Sequence, residues 1–125
     1  MRGPLLPPGI PAARTRAQQF DEHVLDVVER LGARWGEQLE DLEFAVEDVP
    51  PADPSPWEAG EVPLGRFFPA DRALAPRVVL YRRPVELRAG SEMGLADLVR
   101  TVLVEQVAHA LGVPADELDP GYRDD

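Results

Sequence analysis

Residues 91–112 read SEMGLADLVRTVLVEQVAHALG and predict a long helix near the end of the chain. Ser91 is a favoured N-cap residue, and Gly112, with Pro114 shortly after it, is a typical helix stop. Between them, apolar side chains recur at steps of three and four residues, the spacing of one helix face: Leu95, Leu98, Val99, Val102 and Leu103. This helix therefore contributes an apolar face to the core of a folded domain.

A second long helix is predicted over residues 15–39. Thr15 and Gln18 have the spacing of a capping box, in which each side chain bonds to the backbone of the other residue at the helix start. Apolar residues then follow at helical spacing: Phe20, Val24, Val27, Val28, Leu31 and Trp35. The chain thus predicts two amphipathic helices, one near each end.

Shorter segments between the two helices predict a small sheet. Residues 44–47 belong to a run of alternating apolar and polar side chains, as in a half-buried strand. Residues 78–81 are apolar and β-branched and follow Pro76, which is typical of a buried strand. Residues 62–68 predict a short edge strand. The order of helix, strands and helix predicts an α+β domain, with two main helices packed on a small sheet.

The chain divides into three predicted parts. Its 125 residues suit one domain. Residues 1–14 are a Pro-rich arm without periodicity, which predicts a flexible tail. Residues 15–119 carry the periodic segments and form the domain, and residues 120–125 are an acidic tail.

Charge and composition exclude several classes of partner. With 23 acidic and 13 basic residues, the net charge is −10. Neutralising phosphates needs basic surface, so the balance argues against nucleic acid and anionic membranes. No apolar run approaches the ~20 residues of a membrane span. The absence of cysteine fits a reducing compartment, so we predict a cytoplasmic protein. Arg82, Arg83 and Arg88 form a small basic cluster that is typical of a solvated strand end.

Polar residues interrupt the last turns of the C-terminal helix. At about 100° per residue, Gln106 falls near the middle of the apolar stripe and His109 borders it. An amide and an imidazole need hydrogen-bond partners when they are buried. Glu105 and His109 lie one turn apart and can meet on the helix surface. The simplest interpretation is an ordinary Glu–His surface pair beside a hydrogen-bonded glutamine.

Three segments carry a family resemblance. They read FAVEDVP at 44–50, VLYRRPVE at 79–86 and EQVAHALGVPADEL at 105–118. In their order and spacing, from about Phe20 to Leu118, the chain resembles a family of very small zincin-like metallopeptidases. That family combines a strand ending in an acidic EDxP-type turn, a strand reading like LYRRPIE and the motif HExxHHFGIxDxxL. In HExxH helices the two histidines bind zinc, and the glutamate is the general base for the metal-bound water. The resemblance implies that residues 15–119 form a minimal zincin-like domain.

The motif is degenerate in this chain. Glu105 stands at the first zinc histidine and Gln106 at the general-base glutamate, whereas His109 matches the second zinc histidine. The family's further Asp falls on Ala115, with Asp116 one place away. An amide does not ionise and cannot act as a general base. By this resemblance the remaining candidate metal ligands are Glu105, His109 and Asp116.

Three hypotheses follow from these observations. The first is a zincin-like family member without peptidase activity and without a cofactor, which binds a protein or peptide partner as a binding or regulatory module. The second is an active metal-dependent hydrolase that holds zinc with rearranged ligands. The third is an unrelated small acidic interaction domain.

Overall fold

The computed structural model describes residues 14–51 and 62–122, without the side chains of residues 92 and 93. The arm predicted over residues 1–14 therefore lies, except for Arg14, outside the described residues, as do residues 123–125 of the tail. The described elements, in chain order, are α1 (Arg16–Leu39), β1 (Glu43–Glu47), β2 (Gly65–Phe68), β3 (Arg77–Tyr81), α2 (Arg82–Ala89), α3 (Glu92–Leu111) and α4 (Ala115–Leu118). The predicted α+β class is confirmed.

The sheet has β3 at its centre. It pairs in parallel with β1 and antiparallel with β2. Val78 of β3 is the register partner of both Phe44 and Phe67. Val78 and Leu80 pack into the core shared with the helices. The predicted strands over 44–47 and 78–81 are confirmed. The short edge strand predicted over 62–68 is the four-residue strand β2 at one side of the sheet.

Helix α1 begins as its sequence predicts. The Gln18 amide donates to Thr15 Oγ1 over 3.0 Å, and the Thr15 amide donates to Gln18 Oε1 over 2.9 Å, so both halves of the capping box are present. The helix is kinked at Trp35, whose φ of −118° and ψ of 22° are not helical. There the indole Nε1 donates a hydrogen bond to the carbonyl of Leu118, which ties α1 to α4.

Helix α3 is the central element of the fold. Ser91 caps its start by accepting from the Gly94 amide, and Gly112 ends it with a left-handed φ of 70°. It packs against α1, α2, α4, β2 and β3. A single apolar face is therefore too narrow a description of it, because Val104 and Val107 on other sides of the helix are also fully buried.

Helix α2 corrects the sequence interpretation of residues 79–86. The resemblance implies that this segment belongs to a strand, and no helix is predicted here, but β3 ends at Tyr81 and a helix starts at Arg82. Pro84 is tolerated there because the first turn of a helix needs no backbone N–H from it. Arg82 stabilises the turn through ion pairs of 3.1 Å with both Asp48 and Glu86.

Candidate functional site

Helix α3 and strand β2 together position the residues that match the zincin motif. Gln106 lies on the side of α3 that faces β2, where Gly65 allows a close approach. A Cβ atom on Gly65 would stand 3.5 Å from Gln106 Cγ and only 2.9 Å from Val102 Cγ1. Gln106 is half-buried at this contact. It therefore lies at the border of the core, as its place on the apolar stripe predicts.

His109, one helical turn after Glu105, is exposed. Its imidazole meets the ring of Phe67 edge to face, with the ring centroids 5.7 Å apart and the planes at 62°. Gly65 and Phe67 are two residues apart on β2, so they lie on the same face of the sheet. Strand β2 therefore covers the motif face of α3, a role that its short and Gly-containing sequence does not reveal.

Glu105 is engaged by the end of the chain. Its Oε2 accepts a hydrogen bond from the hydroxyl of Tyr122. The Tyr122 amide in turn donates to the carbonyl of Asp119 over 2.8 Å. The carboxylate at the position of the first zinc histidine is thus a hydrogen-bond acceptor within the fold. Tyr122 falls within residues 120–125, which are predicted to be an acidic tail, yet it packs against the hydrophobic core.

Asp119 anchors this last turn. Its carboxylate accepts two hydrogen bonds from the Arg100 guanidinium, at 2.7 and 2.9 Å. The hydrogen bond from Arg100, together with one from the Gly121 amide and the nearby positive charge, outweighs burial and lowers the pKa of Asp119 below its ordinary value. The turn that carries Tyr122 is therefore fastened to α3 at Arg100 as well as at Glu105.

The candidate metal ligands do not form a group. Asp116 is exposed on α4. Within residues 14–51 and 62–122, no three His, Cys, Asp or Glu side chains are placed to hold a metal ion. Catalytic zinc uses three protein ligands and a water, so the described side chains do not fit that coordination. The assignment of Glu105, His109 and Asp116 as residual ligands stays a prediction, as does the expectation of no cofactor.

A family comparison covers this whole region. A family model described as a zincin-like metallopeptidase matches residues 39–123. The chain belongs to this family. The match spans the sheet, α3 and the turn that carries Tyr122, and it rules out the hypothesis of an unrelated interaction domain. No individual curated protein matches the chain.

In the described part of this zincin-like domain, no helix is both long and apolar enough to cross a bilayer.

Proposed function

We propose that this zincin-like domain does not hydrolyse peptides and acts as a binding or regulatory module for a protein or peptide partner. The observation that carries the proposal is Gln106 at the general-base position, facing β2 on the motif side of α3. Hydrolysis at a zincin site needs a group that takes a proton from the attacking water. A carboxamide has no ionisable proton acceptor near neutral pH, so Gln106 cannot perform this step.

The environment of Glu105 supports the same proposal. The Tyr122 hydroxyl donates to the carboxylate that replaces the first zinc histidine. A zinc ion at Oε2 would have to compete with that hydrogen bond. Only His109 keeps a ligand type and position of the family motif, and one imidazole is too few for a catalytic zinc site.

Cleavage of an unstructured fluorogenic peptide, with and without a chelator, tests the proposal. We expect no zinc-dependent cleavage by the wild-type protein and no effect of the chelator. Chelator-sensitive cleavage that His109→Ala abolishes would instead establish the active hydrolase with rearranged ligands. The exposed side chain of His109 makes its replacement a mild change, so loss of cleavage in that variant would not reflect unfolding.

The net charge of −10 supports the proposed class of partner, and the lack of cysteine supports the proposed compartment. An acidic surface disfavours nucleic acid and anionic membranes as partners. A protein without disulfides suits the reducing cytoplasm, which we propose as its compartment.

A further inference from the structure

Exposed apolar side chains converge on one groove beside α2. The large hydrophobic residues exposed in the described part of the chain are Leu25, Val49, Val62, Leu74 and Leu87. Three of these five line the same groove, with 55% of Val49, 57% of Val62 and 86% of Leu87 accessible to solvent. Scattered single apolar residues are normal on a protein surface, whereas a contiguous patch indicates a site of interaction.

The groove is formed where three segments of the fold meet. Val49 follows β1, Val62 precedes β2, and Leu87 lies on α2; Leu64 and Pro84 line it as well. Its volume is about 830 Å³, which has room for several bulky side chains. Its described lining residues include none from α3, so this surface is separate from the motif face at Gln106 and His109.

The charge at the groove contrasts with the charge of the chain. Arg83 and Arg88 both line it and are exposed, while the chain carries a net charge of −10. Within the described residues, the neighbouring Arg82 is paired with Asp48 and Glu86, but the ion pairs include neither Arg83 nor Arg88. Two arginines beside an apolar groove complement a ligand that combines carboxylates with apolar side chains.

We propose that this groove binds a segment of a partner protein in which bulky apolar side chains are flanked by acidic residues. The proposal rests on the binding role argued above and assigns that role a surface and a partner chemistry. Burial of Leu87, Val49 and Val62 supplies the affinity, since apolar area removed from water is the main favourable term. Arg83 and Arg88 select acidic over basic flanks.

A synthetic peptide is the direct probe. Fluorescein-labelled EDLWLDE, titrated with the full chain and followed by fluorescence anisotropy, is expected to bind with a Kd below about 100 µM at low salt. The same peptide with lysine at each acidic position is expected to bind at least about tenfold more weakly. A third peptide, with serine at each apolar position, is expected not to bind, because it has nothing to bury.

Paired variants locate the binding site. Leu87→Ser is expected to weaken binding of EDLWLDE at least about tenfold, since it removes the most exposed apolar side chain of the groove. Leu25→Ser is the matched control, because Leu25 is also an exposed helical leucine, 59% accessible on α1, and lies outside the groove. It is expected to leave binding unchanged. The double variant Arg83→Glu and Arg88→Glu is expected to favour the lysine peptide instead.

Several results would overturn the inference. One is the absence of saturable binding of EDLWLDE up to about 1 mM. Another is an equal effect of Leu87→Ser and Leu25→Ser on binding. Binding only after Trp57→Ala would show that residues 52–61 of the same chain occupy the groove. Dimerisation that Leu87→Ser abolishes would show that a second copy does. None of these results contradicts the proposed lack of peptidase activity, because that proposal fails only if chelator-sensitive cleavage is found.

Discussion

At the scale of single residues, the proposed lack of peptidase activity depends on the amide at position 106. The Gln106 side chain lies against β2, where Gly65 leaves space for it. An amide does not accept a proton from water near neutral pH. Under the proposal, the domain therefore has the helix–strand contact at this position but not the general base.

The hydrogen bond between Tyr122 and Glu105 makes a testable contribution to stability. Tyr122→Phe removes the donor but keeps the ring against the core, so we expect a loss of about 1.5–3 kcal/mol in the free energy of unfolding, the range for a hydrogen bond to a charged group. Urea denaturation measures it. A double-mutant cycle with Glu105→Ala, which removes the acceptor, isolates the pair, and a coupling energy below about 0.3 kcal/mol would contradict the contact.

At the scale of elements, the close approach of β2 to α3 depends on Gly65. In Gly65→Ala the new Cβ would lie 2.9 Å from Val102 Cγ1 and 3.1 Å from the Val79 carbonyl oxygen. Relieving this overlap must move β2 or α3, and we expect a destabilisation of about 1–3 kcal/mol, measured by thermal or urea unfolding.

The matched control for this variant is Gly32→Ala on α1. Among the described residues, and apart from the adjacent backbone of its own helix, no atom lies within 4 Å of the position that its Cβ would take. Alanine is also the better helix former by about 1 kcal/mol. We expect this variant to be as stable as the wild type or more stable. If Gly65→Ala is also as stable as the wild type, β2 and α3 are not closely packed at this position.

The turn after α4 responds to acid through Asp119. Hydrogen bonding from Arg100 lowers the pKa of this carboxyl in the folded state, so between the folded and the unfolded pKa the unfolded chain binds more protons. The stabilisation is complete above the unfolded pKa of about 3.9, and it is lost as the pH falls through the folded pKa.

The sign of this effect is tested with Asp119→Asn. Equilibrium unfolding is measured from neutral pH down to about pH 2. We expect the stability difference between wild type and variant to be largest above pH 4 and to shrink in more acidic solution. Because Arg100 is the partner, Arg100→Gln should give the same trend. A difference that stays constant with pH would contradict the role of the ion pair.

At the scale of the whole molecule, local sequence patterns predicted the ends of the long helices and the strands. They did not predict the contacts between distant segments. Thr15, Gln18, Ser91 and Gly112 mark the ends of the long helices through interactions with residues within four or five positions, which a sequence displays directly. The strands of the sheet are visible in the same way, as short alternating or β-branched runs between turn residues.

What could not be predicted depends on geometry between remote parts of the chain. Helix α2 was missed because the β-branched run of β3 leads into Arg82 without a break, and Pro84 disfavours a helix interior but not a first turn. The bond between Tyr122 and Glu105 joins residues 17 positions apart across the end of α3. Such a contact produces no periodic pattern in the sequence, so Tyr122 was assigned to the tail.

The zinc content of the protein tests the central claim most directly. The untagged chain, purified without chelators, is dialysed against zinc-containing and then zinc-free buffer, and its metal is measured by mass spectrometry. We predict zinc far below one atom per chain, since the described part of the fold groups no three ligand side chains and a zinc site needs them. One zinc per chain that survives dialysis, and that is lost in His109→Ala, would contradict the account.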